Sequence, residues 1–301
     1  MTRRPRASIA FLSMTVAALF AAAPMLAAAD TQVAADEYFD SNGVKIHYQV
    51  WGKGDPIILV HGFTASIDAN WVQPGVVDKL DDDFKVIALD LRGHGKSDKP
   101  HDPAVYGETM AMDVIRLMDH LKIDQAHIVG YSLGGFTTLK LVTMHPERFL
   151  SATLGGAGWR PPGEDGGISG LAESLESGNG IGPLMIALTP AGQPPPSPEQ
   201  IKMINQMLMA TNDAKALAAV IRGMGALSVS EETVKKIEVP MLAVVGEIDP
   251  LRAGVDQLDK LLPEEDVEVV VLPGKDHMTA IADPALAQSI HDFVAKSCNC
   301  G

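Results

Sequence analysis

The sequence predicts an α/β fold: a mostly parallel central sheet, helices on both of its faces, and a helical cap inserted between two strands. Three observations support this prediction. Short continuous apolar segments, typical of strands buried on both faces, recur along the chain. Segments with helical periodicity separate several of them, which favours right-handed strand–helix–strand crossovers. Residues 159–231 interrupt the alternation with proline-rich connectors and contain no apolar strand-like segment.

Residues 1–29 are predicted to be a secretory signal peptide, separate from the fold. Three arginines lie within the first six residues, residues 9–23 are mostly apolar, and small residues around Ala29 offer a cleavage site. An uncleaved membrane anchor is the alternative, and Pro24 weakens it. No second stretch is long and apolar enough to span a bilayer. We therefore expect a secreted or periplasmic protein with no membrane insertion after cleavage.

The composition and net charge of the chain limit the classes of molecule that it is expected to bind. Its 301 residues are 46% hydrophobic, which is enough for a sizeable core, and its formal net charge is −14. Such a surface repels nucleic acid and anionic lipid, so neither is an expected partner. The sequence leaves three alternatives open for its two cysteines, Cys298 and Cys300. They could pair with each other, pair with another chain, or stay free in the tail. They are too few for a zinc site, and we expect no bound metal.

Seven strands are predicted. Residues 44–50 alternate apolar and polar side chains, and Asn42-Gly43 just before them is typical of a hairpin turn. The six continuous apolar segments are 56–60, 84–90, 126–130, 149–154, 240–246 and 267–272.

Helices are predicted in the core and in the insertion. Residues 108–121, 133–144 and 284–296 carry apolar faces that suit packing on a sheet. Helix-like stretches at 198–210 and 213–223 lie within the insertion. The predicted sheet-containing core is therefore 30–158 with 232–301, and the cap is 159–231. Five of the fourteen methionines fall within the cap, where they fit either its own core or the apolar roof of a pocket.

A candidate nucleophile, Ser132, lies in the segment "GYSLGG" at 130–135. It follows the strand 126–130 and precedes the helix 133–144, so it occupies a sharp strand-to-helix turn. Gly130 and Gly134 permit this turn and the close approach of neighbouring backbone. A buried turn serine is the alternative, and the G-x-S-x-G spacing alone does not exclude it. Whether Ser132 is a nucleophile therefore depends on whether the chain also supplies a base and an acid beside it.

A base and an acid follow Ser132 in chain order. His277 comes just after the strand 267–272, and Asp249 just after the strand 240–246. Both positions are at the carboxyl edge of a parallel sheet, where ligands bind. Glu247 and Asp276 are rival acids, but Asp276 is adjacent to His277 in sequence and poorly placed to hold its ring. The order serine, aspartate, histidine is the one expected for a strand–turn–helix nucleophile.

Two backbone N–H groups are predicted to stabilise an oxyanion. Leu133 begins the helix after the serine, and Phe63 lies in the "HGF" loop after the strand 56–60. Tyr131, Trp159 and Trp71 line a pocket or belong to the core, alternatives that the sequence leaves open.

The sequence resembles the α/β-hydrolase superfamily, specifically its serine hydrolases with a small helical cap. The resemblance extends from about Tyr38 to Ala295 and is loose in the cap. The motifs that carry it are "LVHGF" (59–63), "DLRGHGKSDKP" (90–100), "VGYSLGG" (129–135), "GEIDP" (246–250) and "GKDHM" (274–278). It implies the α/β-hydrolase fold, the roles assigned above, and no metal or organic cofactor. One departure is Lys275-Asp276, charged residues where a small or apolar residue often precedes the histidine.

The expected reaction is hydrolysis of a small-molecule carboxylic ester or lactone through an acyl-enzyme. Alternatives on the same fold are a cofactor-free perhydrolase, a carbon–carbon bond hydrolase and a proline-iminopeptidase-like enzyme. The last needs cap acids that hold an ammonium group, for which Glu164, Asp165, Glu173 and Glu176 are candidates. An alternative of another class is a ligand receptor on the same fold with no significant turnover.

Overall fold

The structure, a computed structural model, describes residues 34–164 and 166–297. The predicted signal peptide, residues 1–29, lies outside the described residues, as do Cys298 and Cys300. The prediction of export and the alternatives for the two cysteines therefore stay predictions.

An eight-stranded sheet forms the centre of the described chain, and it is mostly parallel, as predicted. Its strands are β1 (Glu37–Ser41), β2 (Val44–Trp51), β3 (Pro56–Val60), β4 (Lys85–Leu89), β5 (Ala126–Tyr131), β6 (Phe149–Gly155), β7 (Met241–Gly246) and β8 (Val267–Leu272). Their order across the sheet is β1-β2-β4-β3-β5-β6-β7-β8. The pairs β1–β2 and β2–β4 are antiparallel, and the remaining pairs are parallel.

Strand β1 is an element that the sequence reading did not assign. The turn at Asn42 and Gly43 joins it to β2, and both residues have positive φ, 55° and 84°. A two-residue hairpin turn with this geometry favours an Asn-Gly pair. The turn was therefore recognisable, but the short and largely exposed strand before it carried no clear alternation.

Eleven α-helices accompany the sheet in the described residues. They are α1 (Val76–Leu80), α2 (Glu108–His120), α3 (Leu133–Met144), α4 (Leu171–Glu176), α5 (Gly182–Ala187), α6 (Pro198–Met209), α7 (Ala214–Gly223), α8 (Glu231–Val234), α9 (Arg252–Leu261), α10 (His277–Ala280) and α11 (Pro284–Ser297). Among them, no helix combines the length and the apolar character needed to cross a membrane.

Strand β3 shows why the core strands are continuously apolar. Ile58 and Val60 belong to the apolar layer that contains α2 and α3, whereas Ile57 and Leu59 belong to the layer that contains α1 and α11. Successive side chains of a strand point to opposite faces, so a strand covered on both faces needs an apolar residue at every position. Helices therefore cover both faces of the sheet, as predicted.

Helices α4 to α8 lie between β6 and β7, and the described residues of 159–231 contain no strand. Leu171, Leu175 and Leu217 form a separate apolar cluster there, against which Phe63 of the core also packs. Helix α6 has no fully buried residue, and Met203 and Met207 are 65% and 66% exposed. We refer to residues 159–231 as the inserted segment and propose that it acts as a cap.

Candidate active site

Ser132 occupies the turn between β5 and α3. Its backbone has φ 53° and ψ −114°, a conformation that non-glycine residues rarely adopt. A Cβ at Gly130 would clash with the carbonyl of Gly134, and one at Gly134 would clash with the carbonyl of Val60. Both glycines therefore let backbone segments meet beneath the serine. The side chain of Ser132 stays partly exposed, so a substrate can reach it.

A hydrogen-bond chain connects Ser132 to His277 and Asp249. Ser132 Oγ lies 3.0 Å from His277 Nε2, and His277 Nδ1 lies 2.9 Å from Asp249 Oδ2. The histidine and the aspartate are each 4% exposed. Asp249 Oδ1 also accepts a hydrogen bond from the N–H of Leu251 at 2.8 Å, which fixes the carboxylate. Three parts of the chain that follow β5, β7 and β8 thus meet at the carboxyl edge of the sheet.

The two rival acids have other partners. Asp276 is the N-cap of α10 and accepts hydrogen bonds from the N–H groups of Met278 and Thr279. Burial alone would raise the pKa of Asp276, but these hydrogen bonds and the Thr279 hydroxyl outweigh burial and lower it. Glu247 accepts from the N–H of Gly274 at 2.8 Å. Asp276, one of the two charged residues directly before His277, therefore serves as the N-cap of α10.

Tyr131 supports the loop that carries His277. Its hydroxyl donates to the carbonyl of His277 at 2.6 Å, and the two rings lie 5.4 Å apart between centroids. Burial raises the pKa of the Tyr131 phenol, so the hydroxyl keeps its proton and remains a donor. Sequence reasoning offered pocket or core for this residue and missed the supporting role. A tyrosine next to the elbow serine was the available signal.

The two predicted oxyanion donors belong to Leu133, which directly follows Ser132, and to the loop after β3, which approaches Ser132 at Gly62. Leu133 is the first residue of α3, so its N–H has no acceptor within the helix. The loop that carries Phe63 approaches from β3, and a Cβ at Gly62 would lie 3.3 Å from Ser132 Cβ. We call residues 61–67 the oxyanion loop.

His61 fixes the peptide plane between Gly62 and Phe63. Its Nε2 accepts from the N–H of Leu91 at 3.0 Å, so its Nδ1 carries the proton and donates to the Gly62 carbonyl at 2.7 Å. The C=O and N–H of a trans peptide point in opposite directions, so holding this carbonyl also fixes the N–H of Phe63. Burial lowers the pKa of His61, which keeps the ring neutral and able to accept. The hydrogen bonds of His61 therefore bear directly on the predicted oxyanion donor at Phe63.

The core holds the oxyanion loop at two further points. The N–H of Gly62 donates to Asn70 Oδ1 at 2.9 Å, and the N–H of Ile67 donates to Asp90 Oδ1 at 2.8 Å. Asp90 also accepts from His47 Nδ1 at 2.8 Å. The "DLRGHG" turn therefore helps to anchor the loop.

The two tryptophans for which the sequence left pocket and core open are both buried. Trp71 has no accessible surface and lies in the apolar layer with α1 and α11, which corrects its assignment to a pocket: it is a core residue. Trp159 is 6% exposed; its Nε1 donates to the carbonyl of Val229 at 2.8 Å, and its N–H donates to the carbonyl of Gly254. It joins the start of the inserted segment both to Val229, near that segment's end, and to α9. In residues 34–164 and 166–297, no group of three or more histidine, cysteine or acidic side chains could hold a metal ion.

Comparison with known proteins gives concordant matches. A family model described as "alpha/beta hydrolase fold" matches residues 55–167. 3-Oxoadipate enol-lactonase 2 from Acinetobacter baylyi is 30% identical over 222 residues, which cover 71% of this chain and 79% of that protein. A solved structure of a thermophilic esterase from Thermogutta terrifontis has a TM-score of 0.72 at 25% identity, and the match covers 88% of this chain and 99% of that one.

Another relative matches over a shorter stretch. The dihydrolipoyllysine-residue acetyltransferase component of the acetoin cleaving system from Cupriavidus necator is 38% identical over 125 residues, 40% of this chain. That stretch is 32% of the relative's length, so this chain spans about a third of it.

Proposed function

The chain belongs to the α/β-hydrolase family, and we propose that this hydrolase cleaves carboxylic esters or lactones with Ser132 as nucleophile, His277 as base and Asp249 as orienting acid. The observation that carries the proposal is the continuous hydrogen-bond chain from Ser132 Oγ through both ring nitrogens of His277 to Asp249 Oδ2. A serine hydroxyl is a weak nucleophile at neutral pH, and this arrangement supplies the base that it needs.

In the first half of the reaction, Ser132 Oγ attacks the ester carbonyl carbon and its proton moves to His277 Nε2. Asp249 holds the ring in the required tautomer and stabilises the imidazolium that forms. The carbonyl oxygen becomes an oxyanion, which the N–H groups of Leu133 and Phe63 stabilise. When the tetrahedral intermediate collapses, the alcohol leaves with the proton from His277, and the acyl group stays on Ser132.

In the second half, water replaces the alcohol. His277 takes a proton from water, the resulting hydroxide attacks the acyl carbonyl, and the same two N–H groups hold the second oxyanion. Collapse returns the proton to Ser132 Oγ and releases the carboxylic acid. A lactone follows the same steps, except that the alcohol and the acid are parts of one product.

Two observations support an uncharged ester or lactone over an aminoacyl substrate. Phe63 packs against the apolar cluster of the inserted segment, so apolar side chains adjoin the proposed oxyanion site. Glu173 and Glu176 are exposed and both pair with Arg222, which offsets part of their charge. The lactonase relative and the esterase structure agree with this substrate class.

Substitution of the nucleophile tests the proposal. Ser132→Ala should abolish both p-nitrophenyl acetate turnover and labelling by a fluorophosphonate. Ser289→Ala, a serine on α11 that donates to the carbonyl of Ala285, serves as the matched control and should retain both. Unchanged turnover in Ser132→Ala would refute the serine mechanism. Absence of labelling in the folded unsubstituted protein would instead favour a ligand receptor on this fold.

A substrate panel then separates the reactions that the fold supports. We expect the highest kcat/KM among acyl esters of varied chain length and lactones. Faster turnover of aminoacyl esters, of a carbon–carbon bond substrate, or of peroxide in peracid formation would reassign the reaction within the same family.

Export is proposed from the sequence of residues 1–29. Expression in a bacterial host followed by N-terminal sequencing should find a mature protein that begins at Asp30 in the exported fraction. An intact N-terminus in the membrane fraction would favour the anchor.

A further inference from the structure

The inserted segment contacts the oxyanion loop through Asn212, which lies between α6 and α7. Asn212 Nδ2 donates to the carbonyl of Thr64 at 3.3 Å and to the carbonyl of Leu208 at 3.1 Å. The first bond joins the inserted segment to the core, and the second closes the end of α6. Thr64 directly follows Phe63, one of the proposed oxyanion donors.

Asn212 lies next to α7, the helix of the inserted segment that packs closely on the core. Helix α7 begins two residues later, and its face from Ala216 to Val220 is buried. At its other end, a Cβ at Gly223 would lie 2.6 Å from Tyr106 Cβ, so the helix closely approaches the core. Asp213 caps α7 and its Oδ2 lies 2.9 Å from His101 Nε2 of the core. Because Asn212 directly precedes this capped end of α7, a shift of α7 on the core would also move Asn212.

Thr64 is held in a strained backbone conformation. Its φ is 62°, which is unusual for a β-branched residue. Such a conformation persists only where surrounding contacts hold it. Asn70 and Asp90 restrain the loop from the core, at Gly62 and Ile67. The N–H of Ala65 donates to the Gly62 carbonyl at 3.2 Å and closes the turn that contains Thr64. Asn212 adds a contact to the Thr64 carbonyl from the inserted segment.

We propose that Asn212 is a positioning residue that couples the seating of the inserted segment to the geometry of the oxyanion donor at Phe63. Without its hydrogen bond, the Thr64 carbonyl is released and Thr64 can relax from positive φ. Because the Ala65 N–H closes the turn over Phe63 and Thr64 onto the Gly62 carbonyl, this relaxation strains the bond from His61 to that carbonyl and shifts the peptide that carries the Phe63 N–H. The inserted segment then acts on the reaction rate as well as covering the substrate. This inference rests on the proposed serine mechanism.

The test compares two asparagines of the inserted segment. Asn212→Ala removes the contact with Thr64. Asn205→Ala is the matched control, because Asn205 also bonds two backbone groups, the carbonyl of Asn179 and the N–H of Ile181, both within the inserted segment. Asn212→Asp is a second variant of nearly equal size that lacks the N–H donor. The readouts are kcat and KM for p-nitrophenyl acetate, the Tm, and the Ki of an aryl trifluoromethyl ketone.

The ketone makes the test specific for the oxyanion. Ser132 Oγ bonds to its carbonyl carbon, the oxygen becomes an oxyanion in the position that the N–H groups stabilise, and the serine proton passes to His277. In both Asn212 variants we expect kcat to fall and Ki to rise in parallel, by about 3- to 10-fold, as for loss of one neutral hydrogen bond. KM should change less than about twofold. Asn205→Ala should lower Tm and leave kcat and Ki within about twofold.

Three results would overturn the inference: unchanged kcat and Ki in both Asn212 variants, an equal effect of Asn205→Ala, or a change in KM alone. Ser132→Ala is measured in the same assays, so that failure of this inference can be distinguished from failure of the proposed serine mechanism. If Ser132→Ala is inactive and the Asn212 variants match the unsubstituted protein, the coupling is wrong and the serine mechanism stands. If Ser132→Ala keeps its activity, both are wrong.

Discussion

The hydroxyl of Tyr131 donates a 2.6 Å hydrogen bond to the backbone carbonyl of His277, a residue 146 positions away along the chain. The residue just before the proposed nucleophile therefore holds the loop of the proposed base. Because Tyr131 ends β5 and His277 begins α10, this bond ties the start of α10 to the strand that leads into Ser132.

Tyr131→Phe tests this relationship. Loss of the hydroxyl leaves the buried carbonyl of His277 without this donor, and we expect kcat to fall roughly 5- to 30-fold with little change in KM. Steady-state kinetics with p-nitrophenyl acetate measures the effect. A kcat within twofold of the unsubstituted enzyme would show that the loop holds its position without this bond.

Two aspartates that flank the base should behave in opposite ways. Asp249→Asn is expected to lower kcat roughly 1,000- to 10,000-fold, because an amide no longer holds His277 in the productive tautomer. Asp276→Asn should leave kcat nearly unchanged, since asparagine caps a helix about as well as aspartate. The pair is measured by kcat/KM at fixed pH, and a reversed ranking would move the acid to Asp276.

His61→Ala should weaken the oxyanion site. The substitution leaves the Leu91 N–H and the Gly62 carbonyl without their ring partner, so the Phe63 N–H is less well directed. We expect kcat to fall about 10-fold or more, the Ki of a trifluoromethyl ketone to rise, and the free energy of unfolding to drop by about 1–3 kcal/mol. Destabilisation with an unchanged Ki would confine His61 to a structural role.

Stability should fall steeply in mild acid because three buried histidines remain neutral when folded. Burial lowers the pKa of His94 to about 3 and of His127 to about 4, and it also lowers the pKa of His61. The unfolded chain protonates these rings near pH 6.5, so below that pH it binds more protons than the folded chain, and stability decreases as pH falls.

Each such proton contributes about 1.4 kcal/mol per pH unit, so His94 and His127 together give a slope of about 3 kcal/mol per unit between roughly pH 6 and 5, and His61 acts in the same direction. Urea unfolding across this range measures it. His127→Gln should lower the slope by about one proton, and an unchanged slope in that variant would show that His127 is already protonated when folded.

Most strands of the sheet could be predicted from the sequence. The apolar segments 56–60 and 267–272 match β3 and β8 to the residue, because chain turns with proline, glycine or charge bound them. Helix α9 was not predicted: its buried residues are Val255 and Leu258, too few for a clear periodic face. Strand β1 was too short and exposed to show alternation.

Local sequence also determined the candidate triad, because the carboxyl ends of parallel strands converge and each of Ser132, Asp249 and His277 follows one. The fold class followed from the same apolar segments. The catalytic roles of Ser132, Asp249 and His277 stay predictions until the variants are measured.

Tertiary structure alone decided what depends on long-range contact. It placed Trp71 in the core, gave Tyr131 its bond to the His277 loop, and brought Asn212 to the carbonyl of Thr64, 148 positions earlier. Periodicity reports which face of an element is buried, but not which residue of another element meets it there. Directional hydrogen bonds between distant segments exist only once the chain has folded, so the sequence left them open.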